Sequence, residues 1–180
     1  MKIRTIVIAL AAGAMLFACS SKHSRQADLD NITRYEDSID IQNTILSVET
    51  GNRLIDLYTT FSTNHPDDSL APMYLHRAAQ VAANIHRPDL ALQYLDTVTI
   101  KYPDYKDVAV CAFYKGFVLE NVAGDLEHAR MAYQEFIDKY PNDPLADDAR
   151  ISMENLGLSP EELLEKILSQ NPEGEMAENK

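Results

Sequence analysis

Residues 91–103, ALQYLDTVTIKYP, and residues 129–141, ARMAYQEFIDKYP, are two copies of one pattern. Each opens on alanine (Ala91, Ala129) and places large apolar side chains four and seven positions on: Leu95 and Val98, then Tyr133 and Phe136. Each closes on Lys-Tyr-Pro, and the two copies lie 38 residues apart. An earlier copy runs through Leu54, Tyr58, Phe61 and His65-Pro66, offset by 37 residues, and a degenerate one through Leu164, Ile167 and Asn171-Pro172. Apolar residues at i, i+4 and i+7 form one face of an α-helix, and the proline that follows ends it.

A second helical stretch follows each of the first three prolines. After Pro66 comes DDSLAPMYLHRAAQVAANIHR, after Pro103 DYKDVAVCAFYKGFVLENVAGD, and after Pro141 NDPLADDARISMENLG. Asp68 or Ser69, Asp104 or Asp107, and Asp143 suit helix N-caps, Pro144 a first helical turn. Ser159-Pro160-Glu161-Glu162 places a capping hydroxyl before acids at the positive end of a helix dipole. Valine, isoleucine and threonine nowhere alternate with polar residues between hairpin-type turns, so no sheet is expected. The unit is helix, short turn, helix, proline-marked turn.

That unit resembles the tetratricopeptide repeat, most closely the variety found in BamD-like outer-membrane assembly lipoproteins and related periplasmic repeat proteins. The resemblance covers roughly residues 43–170 and implies an all-α, right-handed α-solenoid of about three repeats and about seven helices. Ala79 and Gly116, each thirteen residues past a repeat proline, match the small residue of the family's first helix, and Ala91 and Ala129 that of the second. Helices approach closely only where side chains are short, so these positions admit the bulk of Tyr94, Phe113, Tyr133 and Phe136, with Leu95 in the same packing layer. The family pattern also implies a concave groove for an extended peptide or a partner helix. It places Met73, His76, Gln80 and Asn84 on one groove helix, and Val110, Phe113, Phe117, Glu120 and Asn121 on the next.

The N-terminus carries a separate signal. Lys2 and Arg4 precede an apolar run from Ile6 to Ala18. Thirteen helical residues span only about 20 Å, short of a bilayer core of roughly 30 Å, so the run is a secretory signal rather than a membrane span. Leu16-Phe17-Ala18-Cys19 looks like the lipobox of bacterial lipoproteins, in which the cysteine becomes the lipidated N-terminus. Residues 1–18 are therefore expected as signal peptide, 19–40 as lipidated cysteine and flexible tether, 41–170 as the repeat domain, and 171–180 as an acidic disordered tail. With Cys19 lipidated, Cys111 is the one remaining thiol; its setting, VAVCAFYKGFVL, suits a buried small hydrophobe.

Composition narrows function. Apolar residues make up 46% of the 180-residue chain, enough for a packed core, and the net charge of −12 argues against nucleic acid as a partner. Six glycines leave little material for phosphate-cradling loops. His23, His65, His76, His86 and His128 fall in no metal-binding spacing, and no serine lies in a nucleophile elbow. The expectation is a non-enzymatic scaffold with no cofactor and no metal. It would be anchored by lipid at the outer membrane, on the periplasmic face of a Gram-negative cell, and would bind a protein partner in envelope or outer-membrane-protein assembly. The alternative is a solute- or substrate-capturing lipoprotein that serves a transporter.

Overall fold

The computed structural model describes residues 24–39 and 46–170, and among these it contains eight α-helices and no strand. They are α1 Arg25–Ser38, α2 Val48–Asn64, α3 Ala71–Asn84, α4 Pro88–Lys101, α5 Val108–Val118, α6 Leu126–Lys139, α7 Leu145–Asn155 and α8 Pro160–Gln170; α5 runs on into a π-helical turn, Leu119–Ala123. Packing is chiefly between neighbours in the chain, as in a solenoid.

The turns carry the repeat in their backbone. His65, Tyr102 and Tyr140, each directly before a repeat proline, adopt φ/ψ of −130°/58°, −127°/58° and −128°/55°. Proline drives the preceding residue out of the helical region, and the three copies answer with one conformation. After the turn, Asp68 and Asp143 each accept a hydrogen bond from the amide two residues on, at 2.9 Å. Ser159 and Glu162 close a reciprocal box at the start of α8: Ser159 N–H donates to Glu162 at 2.8 Å, and Glu162 N–H to the Ser159 hydroxyl at 3.2 Å.

The chain was expected to supply about seven helices, with residues 19–40 as a flexible tether. Residues 25–38 instead form α1, which packs on α2. Leu29, Ile32, Tyr35 and Ile39 recur at spacings of three, three and four, a narrow apolar stripe set in polar sequence. Ile32 is buried, and Leu29, Tyr35 and Ile39 lie against the cluster of Leu54, Tyr58, Phe61 and Tyr74. Asp28 pins the other side of α1: its carboxylate accepts from Asn64 Nδ2 at 3.1 Å and lies 3.0 Å from His65 Nε2. α1 is thus the leading helix of the first pair, followed by the pairs α3–α4 and α5–α6 and by α7, which packs on α6. The expectations for residues 1–18, Cys19 and 171–180 fall outside the described residues.

Small residues sit where helices meet. Ala78, Ala79, Ala82, Ala91 and Ala129 are fully buried. Ala79, Ala91 and Leu95 share one cluster with Cys111, and Tyr94 packs at its edge. A Cβ at Gly51 would lie 2.6 Å from Ile85 Cγ2, and one at Gly116 would lie 2.5 Å from the Tyr133 ring. The π turn accounts for the change of offset from 37 to 38. From proline to small residue the two middle units have equal length, as they do from the second small residue to the next proline. The one additional residue falls between Gly116 and Ala129, the interval that holds the π turn.

A candidate peptide cleft

The outward face of α3 and the turn between α4 and α5 enclose an open cleft of about 810 Å³. Met73, His76, Arg77 and Gln80 supply the helical wall, at the spacing of one helix face, and Tyr102 and Tyr105 stand in the opposite one. The Tyr102 hydroxyl donates to the Pro66 carbonyl at 3.0 Å, which ties the two proline turns together and fixes the mouth of the cleft.

An aromatic shelf continues from α3 to α5. The His76 ring lies 6.4 Å from Tyr114, and Tyr114 stacks on Phe117 at 5.4 Å with the planes 14° apart. Phe117 and Val110 are each 40% exposed, so the α5 end of the shelf is open to solvent. Gln80 Nε2 sits 3.3 Å from His76 Nε2. Burial lowers the His76 pKa below the ordinary imidazole value, with Asp107 opposing the shift. Arg77 is committed elsewhere: it donates to Glu36 of α1 at 3.0 Å and lies over the Tyr74 ring. The other charges lining the cleft are Asp67, Asp68, Asp104, Lys106 and Asp107 of the turns and Lys101 at the end of α4.

The structure separates the residues that the family pattern placed in a groove. Met73, His76 and Gln80 line the cleft; Phe117 joins the shelf through Tyr114, and Val110 is exposed on α5. Asn84 is exposed at the end of α3, outside the cleft walls. Phe113 is turned inward, 5.5 Å from Tyr133 and 5.6 Å from Phe136, and serves the core. Glu120 accepts the Tyr133 hydroxyl at 2.8 Å, tying the π turn to α6, and Asn121 donates to the Phe117 carbonyl at 3.1 Å, tying it to α5. Tyr102 and Tyr105, which line the cleft, and Tyr114, which carries the shelf, were not anticipated at this site. Tyr114 was legible, because it lies four residues after Val110 and three before Phe117. The two turn tyrosines were read only as repeat punctuation.

No group of three or more histidine, cysteine, aspartate or glutamate side chains is placed to hold a metal among the described residues. No helix among them is long and apolar enough to cross a membrane. Comparison with curated proteins and with solved structures returned no match. Residues 111–143 match the family model of the tetratricopeptide repeat. The matched stretch runs from α5 through the π turn and α6 to the turn after Pro141, so this helix–turn–helix unit of the solenoid is similar to a tetratricopeptide repeat.

Proposed function

We propose that the chain is a non-enzymatic scaffold that holds an extended segment of a partner protein in the α3–α5 cleft. The observation that carries this reading is the Tyr114–Phe117 stack, half-buried at Tyr114 and exposed at Phe117, which meets His76 of a cleft walled by one face of α3. Stacked rings offer a flat apolar contact at low entropic cost, and flanking amides such as Gln80 suit the backbone of an extended peptide. Tetratricopeptide repeats generally bind protein partners, which agrees with it. In the same reading Cys19 carries the lipid that holds the scaffold to the outer membrane, on its periplasmic side. The BamD-like pattern of the repeats favours a role in envelope or outer-membrane-protein assembly.

Site-specific photo-crosslinking tests the cleft. A crosslinker at Phe117 or Met73 of the full chain in its own membrane should trap one protein partner. The same group at Ile100, which is 76% exposed on α4, should not. Crosslinks from Ile100 alone, or a small molecule retained in the cleft in place of a protein, would overturn the reading.

A further inference from the structure

We propose that the exposed apolar stripe of α8 docks a basic amphipathic helix of a partner protein, at a surface separate from the cleft. α8 is the last described helix and packs only lightly on those before it. Leu163 and Lys166 are its half-buried residues; the Lys166 amine donates to Asn155 Oδ1 at 2.7 Å. The rest of its apolar stripe is uncovered: Leu164 is 57% exposed, Ile167 48% and Leu168 48%. Leu164, Ile167 and Leu168 have the spacing of a helix-on-helix contact.

Charge selects the occupant. Glu161, Glu162 and Glu165 are exposed on the same helix. Glu161 and Glu165 are helical neighbours of Leu164 and Leu168, so carboxylates border the stripe on its solvent side. A second copy of this chain would set an equal row of glutamates against these, in molecules of net charge −12 each. Residues 171–180 hold three glutamates, one lysine and Met176 as their one large apolar side chain, so they bring neither a stripe nor a positive rim. A helix with leucine-type residues along one face and lysine or arginine beside them meets both requirements.

Two labelled synthetic helices, alike in their leucine stripe and flanked by lysine in one and glutamate in the other, provide the test. Each is titrated by fluorescence anisotropy against the full chain in zwitterionic nanodiscs, with empty discs as control. The lysine-flanked helix should bind at least about tenfold more tightly. Leu164→Glu with Leu168→Glu should remove that binding, and Glu161→Lys with Glu165→Lys should reverse the preference. These variants alter exposed positions, and circular dichroism checks that the fold is kept. Phe117→Ala should leave the affinity unchanged, which separates this surface from the cleft. Equal binding of both helices, no binding, loss of binding in Phe117→Ala, or a dimer of the chain crosslinked through α8 would overturn the proposal.

Discussion

Gly116 of α5 lies directly under the ring of Tyr133 of α6: a Cβ built there would come within 2.5 Å of both Cδ1 and Cε1. The ring has no room to retreat, since Tyr133 is 1% exposed and its hydroxyl is held by Glu120. Gly116→Leu should force α5 and α6 apart at an overpacking cost of roughly 1–3 kcal/mol or more. Thermal and urea melts of the variant measure it, and an unchanged midpoint would show that the two helices do not meet at this point.

The π turn makes an opposite prediction about tolerance. It absorbs the one residue by which the α5–α6 unit exceeds the α3–α4 unit. Deleting Asn121, an exposed residue whose side chain bonds the Phe117 carbonyl, should let the turn close as ordinary α-helix and preserve a cooperative melt. Deleting Gln134 from the middle of α6 should not be tolerated. It rotates Phe136 by about 100° relative to Tyr133, from one residue's turn of a 3.6-residue helix. Equal damage from the two deletions would contradict the role assigned to the π turn.

Glu36 joins three helices, accepting the Tyr58 hydroxyl at 2.6 Å and Arg77 at 3.0 Å. Glu36→Ala leaves the buried Tyr58 hydroxyl without its acceptor and should cost about 1–3 kcal/mol, with the α1 amides exchanging first. Acid should loosen the same helix. Arg25 of α1 hydrogen-bonds Asp68, which holds that carboxyl below the usual aspartate range. A depressed folded-state pKa stabilises the fold above the unfolded value, and the increment is lost as pH falls through the folded one. Asp68→Asn should remove that part of the acid sensitivity in urea melts taken between neutral pH and the acid limb.

Cys111 should be inert. It is fully buried, and burial, followed by the nearby charge of Asp107, pushes its thiol up to about 12. A thiol reagent at pH 8 should label it only after denaturation. Rapid labelling of the native protein would mean that the α4–α5 contact opens far more readily than the packing implies.

Membrane attachment should depend on Cys19. Stable anchoring needs at least two acyl chains, which a lipoprotein-type cysteine carries, and an acidic body would be repelled by anionic lipid heads. Cys19→Ser should block fatty-acid labelling and release the protein or leave an uncleaved precursor. A Cys19→Ser protein that is cleaved normally and stays membrane-bound would defeat the anchor.

The helical repeat was legible because it rests on spacing. The alanines, the i+4 and i+7 apolar residues and the prolines sit at fixed offsets, and the three pre-proline residues share one backbone conformation. α1 was not legible. Its four apolar residues make too thin a stripe to stand out among charges, and the polar part of its hold on α2 comes from Asp28 and Glu36, whose partners lie more than twenty positions away. The cleft was half legible for a similar reason. Helical spacing marks Met73, His76 and Gln80 as one face, but it does not reveal that Phe113 turns inward or that the tyrosines of the proline turns form the facing wall.

The early start of α1 also sets a leash. A tether of residues 19–40 would have let the body wander about 75 Å from its anchor at full extension. The residues between Cys19 and Arg25 reach only about 20 Å. With lipid on Cys19, the α1 end of the stack would ride close to the bilayer, and the chain-ordered packing would carry α7 to the far end. The protein would then act as a short post of fixed polarity, with α7 the helix farthest along the packed stack from its anchored foot.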